Sequence, residues 1–85
     1  MQNKKMILYR TSDIYFSSFL SALDLDLVTT EKEKVNRDRK KVIFVFKVPE
    51  EDLGRLKTLF FGGSGTVKGL KYANALKTLK QMCFV

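Results

Sequence analysis

Histidine is absent from this chain of 85 residues, and cysteine occurs once, at Cys83. Without histidine the chain lacks the commonest general base and most zinc-site patterns. A lone thiol cannot close an intrachain disulfide, which points to a reducing compartment. Long apolar runs are also missing, since no stretch approaches the roughly 18 residues that a membrane span needs. The opening MQNKKMILYR carries lysines as a signal peptide does, but only Met6, Ile7 and Leu8 follow before Tyr9 and Arg10. That is too short for an apolar h-region. The expected localisation is cytoplasmic, with no membrane partner. Acidic residues are scarce, 9 against 16 Lys and Arg, for a net charge of +7. Such an excess favours polyanionic partners, although it also serves simply to keep a small domain soluble. No internal repeat, linker or low-complexity tail is visible.

What is present suits a packed globule. Apolar residues make up 45% of the chain and aromatics 12%, seven of them Phe. Residues 1–85 make one domain. A chain of this size buries only about 60–65% of its unfolded surface, so oligomerisation stays open.

Met6 to Arg10 is a short apolar run that reads as a strand. TSD follows, with Thr11 or Ser12 as the expected helix cap and Asp13 in the first turn. From about residue 12 to 24, Phe16, Phe19, Leu20 and Leu23 fall on one helical face and Ser17, Ser18, Ser21 and Asp24 on the other. The serine face either admits another backbone closely or is an ordinary wet face, and the second is expected. From Leu25 the pattern alternates as a strand does. KVIFVFKV then places Val42, Phe44, Phe46 and Val48 on one side and Ile43 and Val45 on the other, which belongs in the middle of a sheet. NRDR supplies turn residues between these two strands, with the hairpin tip near Arg37 and Asp38. With Val35 and Lys40 flanking the loop, Thr29 lies opposite Phe46 and Lys32 opposite Ile43. The first strand covers the free edge of the central one.

Pro49 stops the sheet, and PEED opens a second helix with acidic residues where the helix dipole favours them. Its stripe is Leu53, Leu56, Leu59 and Phe60, and it ends at Gly62 and Gly63. The last helix runs from about Val67 or Lys68 to Met82, with Tyr72, Ala75, Leu76, Leu79, Met82 and Cys83 on one face. The order β-α-β-β-α-α predicts an α+β domain, a small antiparallel sheet of about three strands with helices on one face.

Phe60 to Gly69, FFGGSGTVKG, holds four of the five glycines and a lysine. A phosphate-binding loop needs its lysine followed by Ser or Thr, placed after a strand and before a helix. Here Lys68 is followed by Gly69 and Leu70, and the preceding element is a helix. Glycine after a helix is the ordinary C-terminal stop, so this run reads as a turn. Glu50, Glu51 and Asp52 are explained by the helix start. Asp24 and Asp26 could chelate a cation but lack a third ligand. Cys83, on an apolar helix face, reads as a buried structural thiol. No nucleophile–base pair is found, and no catalytic residue, cofactor or metal is assigned.

The stronger feature is KEKVNRDRKK, Lys32 to Lys41, where six basic residues stand against two acidic ones. A two-stranded basic ribbon can enter a groove or straddle a phosphate backbone. In the register above, Lys32, Lys34, Lys41 and Lys47 project from one face, while Arg37, Arg39 and Lys40 ring the end. Against this, edge strands carry lysine routinely to prevent aggregation, and interleaved Glu31, Glu33 and Asp38 suit a solvated ribbon. Phe44 and Phe46 serve the core rather than base stacking.

TSDIYFSSFL after a short apolar strand, the VIFVF strand and the closing YANALKTLK together resemble a family of small proteins of bacteriophages and other mobile elements, catalogued as a domain of unknown function. The resemblance spans roughly residues 7 to 82. The charged hairpin around residues 31 to 41 is longer than in that family, and the helix connection is richer in glycine. The family brings no established active site. It implies a viral or plasmid accessory protein that binds nucleic acid or obstructs a host enzyme. The leading expectation is therefore a non-catalytic accessory protein binding DNA or RNA through its basic hairpin. The alternative is a protein-interaction module, an inhibitor of a host or defence enzyme with an acidic surface, or a homodimeric structural part.

Overall fold

A strand apolar on both faces needs cover on both faces and a partner on each edge. The computed structural model of the chain, which describes residues 5–37, 40–63 and 69–83, gives the VIFVF run that place. β1 (Met6–Thr11) and β2 (Asp26–Lys34) flank β3 (Lys40–Pro49), both antiparallel to it, in the order β1-β3-β2. The helices are α1 (Ile14–Ala22), α2 (Glu50–Phe61) and α3 (Gly69–Cys83). The fold is α+β, with the element order expected from the sequence. Among the described residues no helix is long and apolar enough to cross a membrane.

The core lies on one face of the sheet. Phe44, Phe46 and Val48 meet Phe16, Phe19 and Leu20 of α1, Leu56 of α2 and Leu79 of α3. Phe60 closes it, its ring centroid 5.3 Å from that of Phe16 and 5.2 Å from that of Phe19. Such ring pairs add about 0.5–1.5 kcal/mol beyond burial. Among the described residues the other face of the sheet carries no core helix, yet Val45 is only 1% exposed. Arg10 stands opposite Val45 and Glu31 opposite Ile43, and Arg10 Nε donates to Glu31 Oε1 at 3.0 Å. This pair ties β1 to β2 across β3, and the arginine stem shields the apolar strand beneath it.

Helix α1 departs from expectation in three ways. Its cap is Asp13, not Thr11 or Ser12: Asp13 Oδ1 accepts from the backbone N–H of Tyr15 at 2.9 Å and of Phe16 at 3.1 Å. Thr11 Oγ1 accepts instead from the Asp13 N–H. Ser17 and Ser18 are fully buried, which overturns the wet-face reading. Their hydroxyls donate to Asp13 O at 2.8 Å and Ile14 O at 2.7 Å, so each is satisfied within its own helix. Ser21 and Ala22 face Asn74, Ala75 and Thr78 across the α1–α3 groove, where small side chains let the two backbones close together. Leu23, expected in the apolar stripe, is exposed because the helix ends at Ala22.

α2 starts as expected, with Glu50, Glu51 and Asp52 in its first turn, and the Glu50 N–H donates to Lys5 O at 2.8 Å. It stops at Gly62, and Gly63 takes φ +76°, the left-handed region that glycine enters without a Cβ clash. The glycine run thus begins as a helix stop; Ser64 to Lys68 lie outside the described residues. In α3 Leu79 is buried and Tyr72, Ala75, Leu76 and Met82 are half-buried. Cys83 is exposed rather than a buried thiol, because Met82 is the last residue of α3 packed against the core.

Candidate nucleic-acid interface

The basic hairpin is built from β2 and β3, and its register decides which lysines stand together. The terminal pair is Lys34 with Lys40, followed by Glu33 with Lys41, Lys32 with Val42, Glu31 with Ile43, Thr30 with Phe44 and Thr29 with Val45. This is one residue from the expected register, which set Val35 against Lys40. A slip of one residue turns every side chain of a strand to the other face. A second irregularity restores the core: β2 bulges between Leu27 and Thr29, and Leu27 pairs with Phe46. Val28 is the extra residue, so Leu27 and Thr30 share a face despite being three apart.

The expectation that Lys32, Lys34, Lys41 and Lys47 share one face is therefore corrected. Lys32, Lys34 and Lys40 fall on the face of Val42 and Phe44, the side that carries the helices. Lys41 and Lys47 fall on the opposite side with Arg10, Asp26, Glu31 and Glu33. There Glu33 stands opposite Lys41 and Asp26 opposite Lys47, so cations and carboxylates balance. Arg10, Glu31, Glu33, Lys41 and Ile43 also line one shallow depression on that side. Arg37 is exposed at the hairpin end, and Arg39 lies outside the described residues.

The sequence interleaves its charges as Glu31-Lys32-Glu33-Lys34, and the two-residue period of a strand separates them. One face of the arm receives the glutamates and the other the lysines. Beyond Val42 the lysine face bears Lys32, Lys34 and Lys40, with no carboxylate among the described positions of these two strands on that side. Lys34 and Lys40 are directly opposed, with Cβ atoms about 4.5–5.5 Å apart in such a pair. From Glu31 to Arg37, and at Lys40 and Lys41, every described residue is exposed, so the arm is open to solvent on both faces.

Other chemistry is sparse. Asp24, the one non-glycine residue of positive φ among those described, accepts from Lys71 Nζ at 2.7 Å, which ties α3 to the turn after α1. Asp26, the other carboxylate weighed as a cation ligand, stands opposite Lys47 in the β2–β3 register. Among the described residues no group of three metal-ligating side chains comes together. Burial, with Tyr15 and Asp13 nearby, raises the pKa of the Tyr72 phenol, which stays neutral at physiological pH. No family model, curated protein or solved structure matches the chain.

Proposed function

We propose that this chain is a small, non-catalytic accessory protein that binds nucleic acid through the lysine face of the β2–β3 arm, in the cytoplasmic setting of a phage or mobile element. The observation that carries the reading is the sorting of charge: Lys32, Lys34 and Lys40 on one face, glutamates on the other. A directly opposed lysine pair such as Lys34 and Lys40 is unfavourable by a few tenths of a kcal/mol to about 1 kcal/mol in an isolated sheet. A phosphate between the two ammonium groups turns that repulsion into attraction. A two-stranded ribbon also has the width to lie in a major groove or along one phosphate strand. Phosphate interactions of this kind position the protein and carry little sequence information, so binding is general rather than site-specific.

The test compares two triple variants of equal charge. Lys32→Ala, Lys34→Ala and Lys40→Ala together remove the lysine face; Lys57→Ala, Lys77→Ala and Lys80→Ala remove the same charge from α2 and α3. On duplex DNA the first set should flatten the plot of log affinity against log salt by about 0.9 for each phosphate no longer neutralised, up to about 2.7, while the second leaves it nearly unchanged. Equal effects of both sets would reduce the attraction to net charge. Absence of binding to DNA and RNA at low salt would refute the reading outright.

A further inference from the structure

The sheet has two margins, and they are guarded unequally. β2 carries a bulge and a run of charged residues, whereas β1 pairs with β3 in one unbroken register and has no charged residue from Met6 to Tyr9. An apolar edge strand without a bulge, lysine or proline is open to pairing with another strand. The cations near β1 are turned elsewhere. Arg10 reaches across β3 to Glu31, Lys5 meets Glu50 at 3.6 Å, and the Lys57 ammonium lies over the Tyr9 ring. Leu8 and Met6 are meanwhile 53% and 41% exposed. The ladder also settles which main-chain groups point outward. The Glu50 N–H donates to Lys5 O at 2.8 Å, and Pro49, opposite Met6, has no N–H to give. Hydrogen-bonded pairs alternate along antiparallel strands, so Ile7, Tyr9 and Thr11 turn their N–H and C=O toward β3. Met6, Leu8 and Arg10 turn theirs away from it.

We propose that two copies of the chain associate antiparallel along β1, with Leu8 opposite Leu8 on a two-fold axis perpendicular to the sheet. Met6 of each copy then stands opposite Arg10 of the other, and every outward-pointing residue of the strand exchanges hydrogen bonds with a partner. Registers that oppose Leu8 to Met6 or to Arg10 leave one outward-pointing residue of each strand beyond the end of the other, so the Leu8-centred register is the fullest. Opposed residues share a face of the joined sheet, so both helical layers lie on the same side. The helix nearest the axis is α2, held over β1 by Lys57 and by the Lys5–Glu50 pair. Gly54 is three residues before Lys57 and on the same flank, and a Cβ there would meet nothing within 4 Å, which leaves room for the second α2. One strand edge buries less than a standard stable interface, so the dimer is weak and concentration-dependent. Each copy carries +7 and the paired strands oppose no charge to another, so salt strengthens the dimer by screening the repulsion between copies. Binding of nucleic acid by the lysine face weakens with salt, and the two associations are thereby separable. The dimer stands independently of that binding; where both hold, it presents two lysine faces on one side of the joined sheet.

Sedimentation velocity over a thousandfold range of chain concentration, at low and high salt, tests this without nucleic acid. The wild-type chain should pass from monomer to dimer, and at lower concentration when salt is high. Leu8→Lys and, separately, Leu8→Glu should each remain monomeric, because like charges then meet on the axis. Mixing the two variants should restore a one-to-one dimer. Hydrogen exchange on the wild-type chain gives a readout that needs no variant: the backbone amides of Met6, Leu8 and Arg10 should slow as concentration rises, with those of β2 unchanged. A wild-type chain that stays monomeric throughout, charged variants that dimerise as well as the wild type, a mixture that stays monomeric, or protection along β2 instead would each overturn the proposal.

Discussion

Exchanging positions 32 and 33 (Lys32→Glu with Glu33→Lys) leaves composition, length and the net charge of +7 untouched. It changes only where the charge points. In the native arm the helix-side face carries Lys32, Lys34 and Lys40, while Arg10, Lys41 and Lys47 on the other face are balanced by Asp26, Glu31 and Glu33. The exchange leaves one net positive charge on the first face and two on the second, so neither matches the original three. With Lys32 no longer on a phosphate, the salt slope should fall by about 0.9, and by about 1.8 where the new carboxylate also holds a phosphate away from Lys34. The fold should survive, because the main penalty is a lysine opposite Lys41, about 0.2–1 kcal/mol against a stability of at least about 5 kcal/mol. Fluorescence anisotropy with a labelled duplex, titrated between about 50 and 200 mM salt, reads the slope directly. A slope identical to that of the native chain would show that the facial sorting of charge plays no part in binding.

Two further variants probe the body. Leu79→Ala should lower stability by about 2–5 kcal/mol and half-buried Leu76→Ala by about 1–2 kcal/mol, read as shifts of the urea midpoint; equal shifts would contradict the deeper burial of Leu79. Ser18→Ala should stay within about 1 kcal/mol of wild type, since it removes only a bond to a carbonyl of its own helix, whereas Ser18→Leu should overpack the site by about 1–3 kcal/mol or more. A thermal melt in which the leucine variant matched the alanine one would mean that Ser18 faces open space.

The parts of the fold that were legible in sequence are those where one residue pattern admits a single environment. Val42 to Phe46, apolar at every position, had to be a central strand, and Gly62-Gly63 after a helical stripe had to stop it. The arm was less legible, because its lysine-facing side hangs on a parity. Pairing Lys40 with Lys34 rather than Val35 reverses each strand face, and nothing in the polar loop composition distinguishes the two closures. The buried serines were missed for a different reason. A hydroxyl that bonds its own helix at the fourth preceding carbonyl needs no external partner, so Ser17 and Ser18 look polar in sequence and behave as small core residues in the fold. Cys83 was misread as buried because periodicity gives a face but not the point at which neighbouring elements run out, here one residue earlier at Met82.

The bulge at Val28 gives the arm slack in length. β2 holds one more residue than β3 needs between Leu27 and Thr29, and the surplus valine sits half in water. Removing Val28 would let Leu27 keep Phe46 and Thr29 keep Val45 in an unbroken ladder, with every later side chain on its present face. A single-codon loss there is therefore silent for both the core and the lysine row. It is not silent at the margin of the sheet: the strand would straighten, and its unbroken outer edge would lengthen toward Asp26.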